Sequence, residues 1–298
     1  MNRQLATSLS LALVMVLSSA CTTTEVTYNK SIANSAGSSA AASRHEASRD
    51  KVKEAAETYV QLGLGYLREG ERQRARFNFL KALDRDKRSG AAHNGMALVF
   101  QMEGENTLAE QHFKKAIAIQ PDLTSVRYNY GVFLLRHGRY EDAEKQFLTA
   151  SEDINYHRRG QVFLSLGLIA RQMSKPEEAQ QAWMKALRLS PKLASPYLEL
   201  AEVYFDTGDY PKAKRFLDRY EELSQPSPRG LWLAVRLEHA FGNKDAEASK
   251  ALALRNLFPY AKETLEYKEW LKRREKTVGS LFSGAKDSLQ YKDLLPTQ

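Results

Sequence analysis

From about residue 56 onward, apolar positions recur with the period of an α-helix, and the helical pattern itself repeats every 34 residues. Alanines mark the same place in successive units, at Ala75, Ala109, Ala143, Ala179 and Ala213. Four residues after each alanine comes a bulky side chain: Phe79, Phe113, Phe147, Trp183 and Leu217. This periodicity predicts six helix-turn-helix units at 56–89, 90–123, 124–157, 160–193, 194–227 and 228–261.

The residue types suit closely packed helix pairs. Small residues let two helices approach, and the bulky residue fills the gap against the next unit. Glycine at Gly70, Gly104, Gly138, Gly208 and Gly242 permits a left-handed turn between paired helices, and Ser174 takes that turn in the fourth unit. Pro121, Pro191 and Pro259 close three of the units, and we expect each to fit the first turn of the next helix.

The pattern resembles the tetratricopeptide repeat, which the first unit carries as Tyr59, Leu62-Gly63, Tyr66, Ala75, Phe79 and Ala82. The resemblance implies an all-α fold: a right-handed superhelix of six helix-turn-helix units over residues 51–261, with a concave face lined by the first helices. Residues 262–298 then form a C-terminal cap helix, which ends near Lys276, and a loose tail. The cap helix carries the basic run Lys272-Arg273-Arg274.

The beginning of the chain reads as a secretory signal. Residues 1–20 combine Arg3, an apolar run that ends at Leu17, and small residues before Cys21. A cysteine at this position resembles a bacterial lipobox, although Ser18 stands where leucine is preferred. The resemblance implies acylation of Cys21 and, because Thr22 follows, an outer-membrane anchor facing the periplasm. An ordinary secreted protein is the alternative. Residues 21–50, rich in Ser and Ala, predict a flexible tether.

Composition and motifs argue against catalysis. The formal net charge is +8, but 44 basic residues are mixed with 36 acidic ones, which disfavours a nucleic-acid-binding function. The single cysteine excludes an internal disulfide. No histidine forms a metal-binding or catalytic motif on one helix face, and no nucleophile elbow or phosphate loop occurs. We therefore expect no enzyme activity, metal, small-molecule substrate or cofactor beyond the lipid on Cys21.

The inward-facing positions on the first helix of each unit predict a largely apolar groove for a partner protein. Its residues are Val60, Leu64, Arg68, Asn94, Leu98, Tyr128, Asn129, Val132, Leu164 and Leu168. The same residues could instead pack against one another. The lysine–asparagine clamp by which some tetratricopeptide proteins hold acidic tails is missing, because Val60 and Leu64 occupy the matching places.

The lipobox, the tether, the six repeats and phrases such as Ile119-Gln120-Pro121 and Leu257-Phe258-Pro259-Tyr260 resemble the PilF/PilW family of type IV pilus biogenesis lipoproteins. The resemblance implies a pilotin, which binds the pilus secretin and promotes its outer-membrane targeting and multimerisation. Two alternatives remain: a tetratricopeptide lipoprotein that scaffolds peptidoglycan hydrolases or proteases, and an enzyme, for which a polar cluster in the groove would be the first sign.

Overall fold

The computed structural model describes residue 46 and residues 48–288, and in this range every regular element is an α-helix. The signal, Cys21 and most of the tether lie outside the described residues. The helices are α1 (48–68), α2 (Arg72–Arg85), α3 (Gly90–Glu103), α4 (Asn106–Ile119), α5 (Thr124–Arg136), α6 (Tyr140–Glu152), α7 (Arg159–Gln172), α8 (Pro176–Leu189), α9 (Ser195–Asp206), α10 (Tyr210–Leu223), α11 (Pro228–Ala240), α12 (Lys244–Leu257) and α13 (Lys262–Ser288).

Helices α1 to α12 form the six predicted pairs, here called repeats 1 to 6; the first helix of each is its A helix and the second its B helix. Within repeats 2, 4, 5 and 6 the two helices pack directly on each other. The chain divides into two compact parts: the N-terminal part extends to Val126, and the C-terminal part begins at Arg127. In the C-terminal part, α13 packs on α11 and α12.

The turns between paired helices confirm the sequence prediction. The five turn glycines have positive φ angles between 70° and 81°, and Ser174 takes the same left-handed conformation at φ 58°. Ser174 is the only described residue other than glycine with a positive φ. A side chain in this region costs about 1–3 kcal/mol, so the fourth repeat carries backbone strain that the other repeats avoid.

The bulky B-helix residues fill the space between close helices, as predicted. Phe79 is fully buried, and a Cβ placed at Gly63 or Gly95 would lie only 2.6 Å or 2.3 Å from its ring. Gly95 belongs to repeat 2, so the ring of Phe79 seals the contact between repeats 1 and 2. The buried indole of Trp183 lies against Gly167 in the same way. Helix spacing therefore depends on pairs of glycine and aromatic residues.

The prediction that the unit-closing prolines lie in the first turn of the next helix was wrong. Pro121 and Pro191 lie in the turns before α5 and α9, not in the first helical turn. The residues before them, Gln120 and Ser190, have φ angles of −132° and −144°. Proline disfavours the helical conformation of its predecessor, so these prolines end the B helices.

The terminal helices are longer than the sequence indicated. Helix α1 is already present at residue 48, inside the predicted tether, and α13 continues to Ser288 instead of ending near Lys276. Residues 277–288 are therefore helical rather than a loose tail. They contain no proline, and extending a helix whose first turns are already anchored is far cheaper than nucleating a new one. Residues 289–298 lie outside the described residues.

Candidate protein-binding surface

In the N-terminal part, the predicted groove residues lie at three depths. Val60 belongs to the core around Phe79, and Leu64 packs against that core. Asn94 is 6% exposed, and Leu98 is half-buried. Arg68 is exposed, and its Nε donates a hydrogen bond to the Leu64 carbonyl at 3.3 Å. Arg68 is exposed and both Leu64 and Leu98 are half-buried, so these three residues offer the accessible surface among the five.

In the C-terminal part, the groove residues are also partly covered. Tyr128 is 9% exposed because the guanidinium of Arg158 lies 4.4 Å from its ring centroid and Tyr156 packs beside it. Asn129 and Val132 are half-buried. Leu164 and Leu168 are half-buried and pack against the cluster around Trp183. Internal packing, which the sequence left open, therefore accounts for much of this surface, and a role in partner binding stays a prediction.

A buried ion network that the sequence did not predict joins three A helices of the C-terminal part. Glu199 of α9 is 5% exposed and accepts hydrogen bonds from Arg171 of α7 and from Arg229 of α11. Arg229 also donates through Nε to Glu202 at 2.6 Å. Burial works to lower the pKa of Arg229, but its hydrogen bonds to the two glutamates raise it well above its usual value. Arg229 therefore stays protonated, and the network links successive repeats.

Beside this network lies an arginine held by aromatic rings. The guanidinium carbon of Arg236 is 4.5 Å from the Phe205 ring centroid and 5.4 Å from that of Trp232. Its buried Nε has no hydrogen-bond partner among the described residues. Burial lowers the pKa of Arg236, against the opposing effect of nearby carboxylates. Trp232 packs in turn on Tyr267 and Trp270 of α13, which closes the last repeat.

Two histidines that are far apart in sequence meet in the N-terminal part. The Nδ1 atoms of His93 on α3 and His112 on α4 are 3.1 Å apart. Burial, then Lys115 and His112, lower the pKa of His93 to about 4, and burial also lowers that of His112. Both rings are thus neutral at pH 7. The fourth and twenty-third places of a repeat lie together in this fold, and that spacing is the signal that sequence reasoning missed.

No cluster of three or more histidine, cysteine, aspartate or glutamate residues suited to a metal ion occurs in the described part of the chain. Nor does any helix in this range combine the length and apolarity needed to cross a bilayer. The geometry provides packed helix faces, fixed ion pairs and an aromatic-held arginine.

Comparison with known proteins shows the structural class of this chain. Tetratricopeptide-repeat family profiles match residues 60–124, 100–155 and 170–231. The chain is therefore an all-α tetratricopeptide-repeat protein, a class of scaffolds that typically bind other proteins.

More specific relatives define the family. The chain is 39% identical over 217 residues to the type IV pilus assembly protein PilF of Pseudomonas aeruginosa, covering 73% of this chain and 85% of that protein. The solved structure of P. aeruginosa PilF superimposes with a TM-score of 0.71 at 38% identity, covering 74% of this chain and 99% of PilF. The pilus biogenesis factor PilW shares the fold at 24% identity, with a TM-score of 0.63 and coverages of 71% and 97%. The chain belongs to the PilF family of type IV pilus biogenesis proteins.

Proposed function

We propose that this protein is a pilotin: a lipid-anchored adaptor of the outer membrane that binds the type IV pilus secretin and promotes its targeting and multimerisation. The observation that carries the proposal is the 39% identity to PilF over 85% of that pilus assembly protein. The lipobox-like sequence that ends at Cys21 supports it, because an adaptor that delivers a pore subunit to the outer membrane needs an address of its own.

The proposed anchor is the acylated Cys21, which holds the protein on the periplasmic face of the outer membrane. Each buried CH₂ group of an acyl chain contributes about 0.8 kcal/mol, so several chains give stable attachment. A flexible coil of the length that separates Cys21 from α1 has a typical end-to-end distance of roughly 30 Å. The repeats can therefore reach a partner near the membrane without lying against it.

The proposed contact with the secretin uses the A helices, and the protein acts by binding rather than by catalysis. In the N-terminal part, Leu98 of α3 is a half-buried apolar side chain, and Arg68 of α1 is exposed. An apolar side chain and a cation on the A helices suit an amphipathic segment of a partner that also carries acidic residues. Leu98 is the sharper probe, because Leu64 packs against the core and a charge there would disturb folding.

The test is a pull-down of the pilus secretin subunit with purified wild type, Leu98→Glu and Leu108→Glu. Leu108 lies on a B helix of the same repeat and is 38% exposed, so it controls for a new charge on the surface. We expect Leu98→Glu to lose at least tenfold in affinity and Leu108→Glu to bind like the wild type, with unchanged circular dichroism in both. Equal binding by the two variants would remove the A-helix contact from the proposal. Secretin that fails to bind the wild type would favour a scaffold for hydrolases or proteases.

A further inference from the structure

An open groove lies on the B-helix side of the C-terminal part, where the fourth repeat has a small residue. The eleventh place of each repeat holds Tyr66, Phe100, Leu134, Ala170, Tyr204 or Glu238 in repeats 1 to 6. Ala170, the small residue at this place in repeat 4, lines a groove above α7 between the B helices α6 and α8. This groove has a volume of about 730 Å³. We call it the B groove.

The floor of the B groove is apolar, and each wall carries an apolar side chain among polar ones, which include Gln180 and Gln181. Phe163, Leu166 and Ala170 of α7 line the floor, and Leu148 of α6 and Met184 of α8 line the walls. Leu148 is 50% exposed, although it lies beside this apolar floor. Burying the exposed half of such a side chain is favourable, at roughly 25 cal/mol per Å² of apolar surface.

Charges of opposite sign mark the two ends of the B groove. Glu144, Glu177 and Glu178 lie at the beginnings of α6 and α8, whereas Lys185 and Arg188 lie toward the end of α8. Glu178 pairs with Lys175 at 3.6 Å. Among the described residues, the structure gives the other four no ion-pair partner, and the Nζ of Lys185 lies 4.1 Å from the Phe163 ring centroid. From Glu177 to Arg188 the helix rises about 17 Å, so an occupant has about three helical turns of groove to fill.

The surroundings favour a helical occupant over an extended one. The walls are helices, whose backbone groups are already hydrogen-bonded within each helix, and the floor is apolar. An extended peptide would leave its own N–H and C=O groups unpaired there, whereas a helix satisfies them internally. Acidic residues stabilise the first turn of a helix and basic residues its last turn. A helix charged in this way complements the groove only when its last turn lies at the Glu177 end, antiparallel to α6 and α8.

We infer that the B groove binds an amphipathic helix of a partner protein, with acidic residues in its first turn, an apolar stripe in the middle and basic residues in its last turn. The helix lies antiparallel to α6 and α8 and buries Leu148. This site shares no residue with the A-helix surface proposed for the secretin, and its test is independent of that proposal.

Two fluorescent peptides of about 16 residues with identical composition provide the probe. One places two glutamates in its first turn and two lysines in its last turn around a leucine stripe, and the other exchanges the charges. Binding to the full-length chain in detergent is measured by fluorescence anisotropy. We expect the acid-first peptide to bind at least tenfold more tightly than the base-first peptide.

Substitutions in the chain locate the binding and its direction. Leu148→Glu should weaken binding of the acid-first peptide at least tenfold, whereas Leu252→Glu should not change it. Leu252 occupies the same place in repeat 6 and is 51% exposed, so it is a matched control outside the groove. The acid-first peptide is also the better isolated helix, so the deciding comparison is the double variant Glu177→Lys/Arg188→Glu. It changes the formal charges of the two groove ends from −3 and +2 to −1 and 0, so the preference for the acid-first peptide should fall severalfold relative to the wild type.

Three results would overturn the inference: no binding of either peptide to the wild type, equal binding by the Leu148→Glu and Leu252→Glu variants, or an unchanged peptide preference in the double charge-reversal variant. Circular dichroism of each variant checks that the helices remain folded. Because none of these substitutions touches Leu98 or Arg68, failure here leaves the secretin pull-down unaffected.

Discussion

Two helical glycines of the N-terminal part should respond in opposite ways to the same substitution. A Cβ at Gly95 would lie 2.3 Å from Cε1 of Phe79, whereas a Cβ at Gly65 meets nothing within 4 Å. Alanine in place of glycine in a helix gains about 1 kcal/mol of stability, and this is the expected result for Gly65→Ala. At Gly95 the gain is outweighed, because Phe79 is fully buried and also packs on Gly63.

Overpacking of a tight core costs typically about 1–3 kcal/mol, and so short a contact lies at the upper end. We therefore expect Gly95→Ala to lower the free energy of unfolding by about 2 kcal/mol net of the alanine gain. Urea unfolding followed by far-ultraviolet circular dichroism measures both variants. All three tryptophans lie in the C-terminal part, so their fluorescence shows whether the effect stays in the N-terminal part. A Gly95→Ala variant as stable as Gly65→Ala would refute the proposed glycine–aromatic spacing.

Three further changes test other features. Ser174→Gly should relieve the left-handed strain and stabilise the chain by about 0.5 kcal/mol, whereas Gly208→Ser should destabilise it by about 1 kcal/mol in thermal unfolding. Because the pKa of His93 is about 4 when folded and 6.5 when unfolded, its contribution to stability is complete above pH 6.5 and is lost as the pH falls toward 4. The loss is about 1 kcal/mol at pH 5.5, and urea titrations of His93→Gln should show a weaker pH dependence. Arg229→Met should cost about 3 kcal/mol by leaving Glu199 undercompensated, and adding Glu199→Gln should recover much of that loss.

The helix pairs could be predicted from the sequence because their determinants are local and repeated. Ala75 and Phe79 have counterparts in later repeats, so one packing rule placed ten or more helices. The positive φ of Ser174 was predictable for the same reason: the 34-residue spacing demanded a turn at that position. The end of α13 had no such repeat to fix it, and the helix continued to Ser288.

Contacts between repeats were harder to predict because they depend on side-chain reach. Ion pairs join residues 27 to 30 positions apart, as in Arg76–Glu103, Arg229–Glu199 and Arg274–Glu247. This separation is somewhat shorter than one repeat. Opposite charges at this spacing are visible in the sequence, but a search for ion pairs within single helices does not find them.

The exposure of the candidate groove residues could not be predicted for a related reason. Two residues are inserted between repeats 3 and 4, and one of them, Arg158, lies over Tyr128 and covers it. A rule based on repeat position placed Tyr128 on an open face, but it could not include the side chain of an inserted residue. Burial of Val60 likewise follows from its neighbours in the core around Phe79.

The central claim is that this protein promotes assembly of the pilus secretin from a lipid-anchored position. The most direct measurement is an immunoblot of outer-membrane fractions for heat- and SDS-resistant secretin multimers in wild type, in a deletion of this protein and in Cys21→Ala. We predict that multimers are lost in the deletion and that the secretin is mislocalised in Cys21→Ala. Unchanged multimers in both strains would contradict the pilotin proposal and would assign the protein to a different periplasmic partner.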